Sequence, residues 1–190
     1  AIRAITEQLS YYQRGEGAWS ALDALARIAH PSAVPLFQSR LADKDPYLRR
    51  AAAEGMARAG DVKSVAPFVT EANQDPSEMV RAAMTFALYK KGHPNYLGRL
   101  IDFMDSDRLM PQIYGYLVEL GPSIVAPAVV RLKEPDDDVR RNLVTILGVL
   151  GDQSTAIVLT PYKEDRSREV ATAAAYAIER INERIKMTAQ

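Results

Sequence analysis

The segment Leu147-Gly148-Val149-Leu150-Gly151-Asp152 ends one copy of a unit that recurs along the whole chain. Equivalent breaks occur at Ala59-Gly60-Asp61, Lys91-Gly92-His93 and Leu120-Gly121-Pro122, with weaker copies at Ala29-His30-Pro31 and Ile181-Asn182-Glu183. Successive break glycines are 32, 29 and 30 residues apart. A fixed period in this range is typical of repeat proteins, in which each unit packs only on its neighbours. The 190 residues therefore predict one repeat domain, 1–190, with repeats that end near residues 30, 60, 92, 121, 151 and 182.

The residues twelve, eight and four positions before each break are apolar in all six copies. These three columns are Ala18, Leu48, Val80, Leu109, Val139 and Val170; Leu22, Ala52, Met84, Ile113, Leu143 and Ala174; and Ala26, Met56, Leu88, Leu117, Leu147 and Ile178. Spacings of four residues place side chains on one face of an α-helix. The pattern predicts six amphipathic helices near 17–29, 46–59, 77–91, 107–120, 136–150 and 167–186.

A second, shorter apolar stretch precedes each of these helices, for example residues 65–69 and 125–130. Buried strands are one interpretation of such stretches, but their length and their apolar spacings of three and four favour helices. The predicted fold class is therefore all-α, a stack of about six helix pairs. Asp45, Asp75 and Asp136-Asp137-Asp138 are expected to cap the long helices, and Pro46 and Pro76 suit first-turn positions. Left-handed C′ positions are expected at the four break glycines, Gly60, Gly92, Gly121 and Gly151.

Three segments resemble the HEAT-repeat family, specifically its short phycobilisome-lyase-type repeats. They are Asp45-Pro46-Tyr47-Leu48-Arg49-Arg50-Ala51-Ala52-Ala53, Asp75-Pro76-Ser77-Glu78-Met79-Val80-Arg81-Ala82-Ala83, and Asp138-Val139-Arg140 with the segment that ends at Asp152. The resemblance implies a right-handed α-solenoid, an alpha-alpha superhelix whose second helices line the concave surface. It implies little about function, because the same repeat serves chromophore lyases, hydroxylases and inert scaffolds. Met110, Pro111 and Ala171 depart from the pattern, since they stand where other repeats have arginine.

Composition excludes some classes of function and weakens others. The 24 basic and 24 acidic residues give a net charge of zero, which argues against nucleic-acid binding. No cysteine is present, and we expect no apolar run near the roughly 20 residues that cross a bilayer. A cytoplasmic location is expected, although the start without Met leaves an upstream segment open.

No catalytic constellation is evident. His30 and His93 are the only histidines and both precede proline, so we expect no metal site, no cofactor and no enzyme activity. The arginine column formed by Arg49, Arg81 and Arg140 is interpreted as a structural ladder to the preceding acidic turn, with ligand binding as the alternative. Trp19 occupies the same column, and we expect it to pack on the N-terminal segment that contains Leu9, Tyr11 and Tyr12 rather than on a ligand.

The residues ten, seven and three positions before each break form a stripe that carries no charge from Ala82 to Val118. The stripe predicts a partner-binding groove centred on Tyr89, Tyr114 and Val118, with Arg50 and Arg141 as polar anchors. The alternative is that stacking of neighbouring helices buries the stripe. The predicted function is a non-catalytic protein–protein interaction scaffold or adaptor that binds a protein or peptide. A bilin lyase subunit that acts with a partner chain, and a nucleic-acid-binding repeat, are the alternatives.

Overall fold

The computed structural model describes residues 2–12 and 14–188, and within them it contains twelve α-helices and no strand. The helices are α1 Ile2–Tyr11, α2 Glu16–Ile28, α3 Val34–Arg40, α4 Pro46–Ala59, α5 Phe68–Gln74, α6 Glu78–Lys90, α7 Tyr96–Asp102, α8 Met110–Leu120, α9 Val125–Val130, α10 Asp137–Leu150, α11 Gln153–Leu159 and α12 Arg168–Thr188. They form six pairs, and from the second pair on a short helix precedes a long one. The all-α repeat class is confirmed, and the six long helices begin and end within a few residues of the predicted bounds.

The chain divides into two compact units, Ala1–Leu100 and Ile101–Gln190. The first unit contains α1 to α6, the second contains α8 to α12, and α7 crosses the boundary. The right-handed superhelix and the single domain over 1–190 stay predictions.

The core lies where the three apolar columns predict it. Every described residue in the columns twelve and eight positions before the breaks is buried, from Ala18 and Leu22 in α2 to Val170 and Ala174 in α12. The third column is buried as well, except for the half-buried Ile178. These residues recur with the helical period, so each long helix buries one face. Within the units, α4 packs against α2 and α6, and α10 packs against α12.

The predicted caps are present at Asp45 and Asp136, whereas the N-cap residue of α6 is Ser77, and Asp75 accepts a hydrogen bond from the Ser77 N–H at 2.8 Å. The carboxylate of Asp45 accepts a hydrogen bond from the Tyr47 N–H at 2.9 Å, and Asp136 accepts one from the Val139 N–H at 2.9 Å. These bonds satisfy amide groups that have no partner inside the helix. Pro46 is the first residue of α4 as predicted, whereas Pro76 lies two residues before α6, so its first-turn assignment is wrong.

The break glycines end their helices in two different ways. Gly92 and Gly121 have the positive φ that the prediction requires, 94° and 69°, but the ψ of −158° places Gly121 outside the left-handed helical region. Gly60 and Gly151 are extended, with φ of −77° and −73°, so the prediction is wrong for them. A Cβ atom there would lie 2.7 Å from the Met56 carbonyl oxygen at Gly60 and 2.6 Å from that of Leu147 at Gly151. Glycine is required at these two ends because the chain passes close over the last turn.

Two arginines of the column, Arg49 and Arg140, link their own turn to the turn of the following repeat. Arg49 donates to both carboxylate oxygens of Asp75, at 2.8 and 3.0 Å, and to the Asp43 carbonyl at 2.7 Å. Arg140 likewise binds Asp165, at 3.0 and 3.3 Å, and the Glu134 carbonyl at 2.8 Å. Arg81 reaches its own turn through the Asp75 carbonyl at 3.0 Å. The predicted ladder is therefore present: all three arginines reach their own preceding turn, and Arg49 and Arg140 also bind a carboxylate of the next repeat.

Trp19 replaces arginine in this ladder. Its indole N–H donates to the carboxylate of Asp45 at 2.6 Å, and its ring lies against the Tyr47 ring with centroids 4.4 Å apart. These contacts are with the next repeat, whereas we expected contacts with the N-terminal segment. An indole N–H, like a guanidinium N–H, donates a hydrogen bond and cannot accept one, so it can take the place of one guanidinium N–H.

Acidification is expected to lower the free energy of unfolding through the ladder carboxylates. Burial alone would raise the pKa of Asp75 and of Asp165, but hydrogen bonds from Arg49 and Arg140 outweigh it, so both pKa values lie below the ordinary 3.8. A carboxylate whose pKa is lower in the folded than in the unfolded protein stabilises the fold fully at pH values above its unfolded pKa. This stabilisation is lost as the pH falls through its folded pKa. Urea unfolding between pH 7 and pH 2 checks this.

The matched control for the acid effect is the variant with Asp75→Asn and Asp165→Asn together. It lacks the two titrating groups, so its stability should fall less between pH 5 and pH 2 than that of the natural chain. Parallel pH curves for the two proteins would contradict a role for these carboxylates in acid unfolding.

One apolar segment differs from the sequence expectation. Met110–Lys133, 24 residues, is long and apolar enough to cross a membrane by length and composition, and 28% of its most apolar window is buried. It is not a single straight helix in the structure, because α8 ends at Leu120 and Gly121 turns the chain into α9 with a φ of 69°. These residues form parts of two repeats, so their composition is weak evidence for a membrane span.

Candidate interaction groove between α10 and α12

Much of the predicted uncharged stripe is buried in the first unit. Ala53, Ala57, Ala82 and Thr85 have no exposed surface. All residues from 51 to 57 in α4 and from 82 to 88 in α6 are buried, and α4 packs against both α2 and α6. The small side chains on these helices let them stack closely. Burial by stacking, the alternative interpretation, is therefore correct for this part of the stripe.

The five predicted site residues belong to both units. Arg50 and Tyr89 lie in the first unit and are half-buried. Tyr114, Val118 and Arg141 lie in the second unit, where Val118 is 36% exposed and the other two are half-buried. A groove that all five residues share stays a prediction, whereas the second unit contains a groove of its own that includes Arg141.

Arg50 is engaged by carboxylates of its own unit. Its guanidinium lies 3.8 Å from Asp23 and 3.7 Å from Glu54. Glu54 is 5% exposed and also pairs with Arg58 at 3.4 Å, next to the buried ring of Phe86. Arg50 thus has a structural role in neutralising a buried carboxylate, which competes with its predicted role as a polar anchor.

The groove of the second unit runs between α10 and α12 and has a volume of about 660 Å³. Its α10 side is formed by Arg141, Thr145 and Gly148, and its α12 side by Arg168, Glu169, Thr172, Ala173, Tyr176, Ala177 and Arg180. We call these residues the α10–α12 groove. The α12 side continues over three turns because Arg168, Thr172, Tyr176 and Arg180 are spaced four residues apart on one helix face.

Gly148 sets the floor of the groove. A Cβ atom at this position would lie 2.7 Å from both the Cα and the Cβ of Ala177, so only glycine lets the two helices approach this closely. Arg184 fixes the same crossing, since its guanidinium donates to the carbonyls of Val149, at 2.6 Å, and Gly151 at the end of α10. A cation at a helix C-terminus also interacts favourably with the helix dipole. The floor of the groove is therefore closely packed, and the side chains that line its walls extend from α10 and α12, which are held at this crossing.

The charges of the groove are unequal. The lining contains three arginines, Arg141, Arg168 and Arg180, and one carboxylate, Glu169. The pKa of Glu169 is lowered by its own backbone N–H, by the Ser167 hydroxyl, and by the charges of Arg141 and Arg168. Glu169 is therefore ionised at neutral pH, and the lining carries an excess of positive charge. Arg141 also pairs with the exposed Asp138 at 2.7 Å, and Asp138 is not part of the lining.

The centre of the groove is less polar than its ends. The ring of Tyr176 is 69% exposed, although an aromatic ring gains most from burial. The hydroxyls of Thr145 and Thr172 donate to the carbonyls of Arg141 and Arg168, at 2.9 and 2.8 Å, so they satisfy their hydrogen-bonding needs within their own helices. An exposed aromatic ring between charged ends is typical of a binding surface.

The sequence prediction found Arg141 and missed Arg168, Tyr176 and Arg180. The predicted stripe used the position seven residues before each break, whereas the open positions Thr145 and Tyr176 lie six residues before. One residue turns a side chain by about 100° around a helix, so this small offset selects a different face. The four-residue spacing from Arg168 to Arg180 was the available signal.

Metal-binding chemistry has no counterpart in the described residues. No group of three or more His, Asp or Glu side chains that could hold a metal ion occurs among them. His30 is exposed, and its Nδ1 atom lies 2.8 Å from the Ser32 hydroxyl within the turn after α2.

The comparison with protein families agrees with the helical repeat fold in the first unit. Residues 2–89 match HEAT repeats. A designed armadillo repeat protein is 17% identical over 96% of this chain and all of its own, with a TM-score of 0.40. Human deoxyhypusine hydroxylase in complex with glycerol is 15% identical over 95% of this chain and 89% of its own, with a TM-score of 0.37. No curated protein matches the sequence significantly. These distant structural similarities carry no information about function.

Proposed function

We propose that the protein is a non-catalytic interaction module that binds a segment of a partner protein in the α10–α12 groove. The observation that carries the proposal is the exposed Tyr176 ring, set between arginines in a groove of about 660 Å³. Grooves of roughly 300–1,000 Å³ are large enough to bind a ligand specifically. Tyrosine and arginine are enriched among the residues that contribute most to protein–protein affinity.

The length of the groove suits a short extended segment. Arg168 and Arg180 are twelve residues apart on one helix, which at 1.5 Å per residue is about 18 Å. An extended chain spans about 3.3 Å per residue, so five or six residues of a partner fill this length. The rigid floor favours binding, because little ordering of the groove is needed when the segment enters.

The remaining predicted site residues extend this surface or stay outside it. Tyr114 and Val118 lie on α8, which also packs against α10, and we propose that they contact the partner beyond the groove. Arg50 and Tyr89 in the first unit stay sequence predictions. The phycobilisome-lyase subtype, the cytoplasmic location, the bilin lyase subunit and the nucleic-acid-binding repeat also stay predictions.

Crosslinking tests the proposal. A photoreactive phenylalanine analogue is placed at Thr172 in the groove or, as the control, at Ile157, which is 66% exposed on α11. The protein is then irradiated in native cell extract, and the adducts are identified by mass spectrometry. We expect one partner protein at Thr172 that is absent at Ile157. Equal adducts at both positions, or none at Thr172, would contradict a partner site in the groove.

Tyr176→Ala is expected to weaken binding of the purified partner by about 2 kcal/mol, roughly 30-fold in the dissociation constant. The melting temperature should change little, because the ring is 69% exposed and loses few contacts in the free protein. Titration by fluorescence anisotropy measures the affinity, and circular dichroism measures the melting temperature. Tyr114→Ala is the companion variant, and an effect of similar size there would extend the site onto α8. Unchanged affinity in Tyr176→Ala would place the partner elsewhere.

A further inference from the structure

We infer that the segment bound in the α10–α12 groove is acidic, with two carboxylates about five residues apart and an apolar side chain between them. This inference rests on the proposed function and specifies the chemistry of the partner. It follows from the positions of the three arginines and of Tyr176 along the groove.

The charge of the groove lining favours an acidic segment. The lining contains three arginines and one carboxylate; Arg141 pairs with Asp138, whereas Arg180 forms no ion pair with any described residue. Arg180 is exposed, so its guanidinium keeps its donors available. A guanidinium presents a planar fork of N–H groups that matches the two oxygens of a carboxylate. An acidic segment therefore complements the groove, whereas a basic segment would meet like charge.

The arginines lie at both ends of the groove. Arg168 and Glu169 are the first two residues of α12, and the charges of both Arg141 and Arg168 act on Glu169, so these three lining residues belong to the same end of the groove. Arg180 lies three helical turns from Arg168, at the other end. The distance of about 18 Å along α12 corresponds to about five residues of extended chain. Two carboxylates with this spacing reach both ends at once.

The centre of the groove favours an apolar side chain. Tyr176 and the small residues Thr172 and Ala173 lie between the two charged ends. The Thr172 hydroxyl is already bonded to its own helix, so this stretch offers contact area rather than additional donors. An apolar side chain of the segment that covers the Tyr176 ring removes apolar surface from water on both partners.

Selection from a display library of random twelve-residue peptides tests the inference on the full chain. Enriched peptides are expected to carry Asp or Glu pairs four to six positions apart, with Leu, Ile, Phe or Tyr between them. A fluorescein-labelled copy of an enriched peptide should bind the Arg168→Ala, Arg180→Ala double variant at least tenfold more weakly. Its affinity for the natural chain should fall as salt is raised, because exposed charge pairs are screened.

Arg166→Ala is the matched control. Arg166 belongs to the same unit, and its side chain is 71% exposed, but it is outside the groove lining. Its replacement should leave the affinity of the acidic peptide within about twofold. A second control peptide replaces the two acidic residues with Gln or Asn, and we expect it to bind at least tenfold more weakly than its parent.

The possible failures are distinguishable. Enriched peptides that are neutral or basic, but that lose binding in Thr172→Trp, would overturn the acidic inference and support the proposed groove. Enriched peptides that all bind Thr172→Trp as well as the natural chain would overturn both proposals. A single-stranded RNA oligonucleotide should not displace the labelled acidic peptide at concentrations at which the unlabelled peptide does. Displacement by RNA at those concentrations would overturn the inference, since it would indicate a site for nucleic acid.

Discussion

Asp165→Ala is expected to lower the free energy of unfolding by about 3 kcal/mol or more, because it leaves a buried guanidinium without its main counter-charge. Arg140 is only 5% exposed, and Asp165 holds its Nη2 and Nε atoms at 3.0 and 3.3 Å. Two backbone carbonyls and Asp137, at 2.6 Å, remain after the substitution. The side chain of Asp137 is 50% exposed, so its charge is better screened by solvent than that of Asp165. Urea unfolding monitored by circular dichroism measures the change.

The exposed pair between Asp138 and Arg141 is the matched control for this prediction. Their side chains are 61% and 33% exposed, and exposed ion pairs contribute about 0–1 kcal/mol. Asp138→Ala should therefore cost about 1 kcal/mol or less. The double variant Arg140→Met, Asp165→Leu should recover much of the loss, since it removes the buried charge together with its partner. A loss in Asp165→Ala no larger than in Asp138→Ala would show that the ladder does not stabilise the fold.

The arginine ladder shows which contacts can be predicted from sequence spacing and which cannot. The column of Arg49, Arg81 and Arg140 was visible as a repeat, and a structural role was the correct interpretation of it. The preceding turn was a correct partner, as Arg81 and the Asp75 carbonyl show, but the second partner was missed: Arg49 also binds Asp75, which is 26 residues away in the sequence. The distance between equivalent turns depends on how repeats stack, and this packing has no local signal in the sequence. Trp19 in the same column joins the ladder through a different chemical group, which a search for arginine alone passes over.

The core was predictable, whereas the site was predictable only in part. Helical periodicity fixes which residues share a face, and the columns of Leu48, Val80 and Val139 are buried accordingly. The groove depends on the crossing of two helices, which is set by the contact of Gly148 with Ala177. In the sequence Gly148 is only a small residue in a stripe. The same stripe is buried at Ala82 and Thr85, so small size alone did not separate a stacked helix face from an open one.

Leu147→Ala is expected to lower the free energy of unfolding by about 2–5 kcal/mol. Leu147 has no exposed surface and lies in the predicted core column of α10. Truncation removes apolar contacts and leaves a cavity that tightly stacked helices refill only in part. Leu117 has the same position in α8 and is equally buried, so Leu117→Ala should show a loss in the same range. Urea unfolding at neutral pH gives both values.

Ile157→Ala is the control that separates burial from mere loss of an aliphatic side chain. Ile157 is 66% exposed, so its truncation should change the free energy of unfolding by less than about 0.5 kcal/mol. A repeat protein is stabilised by each unit and by its contacts with its neighbours, so the loss at Leu147 also spreads to α12, which packs against α10. Hydrogen exchange of the α12 amides should therefore accelerate in Leu147→Ala and stay unchanged in Ile157→Ala. A change below half a kcal/mol at both Leu117 and Leu147 would mean that the core face is wrongly assigned.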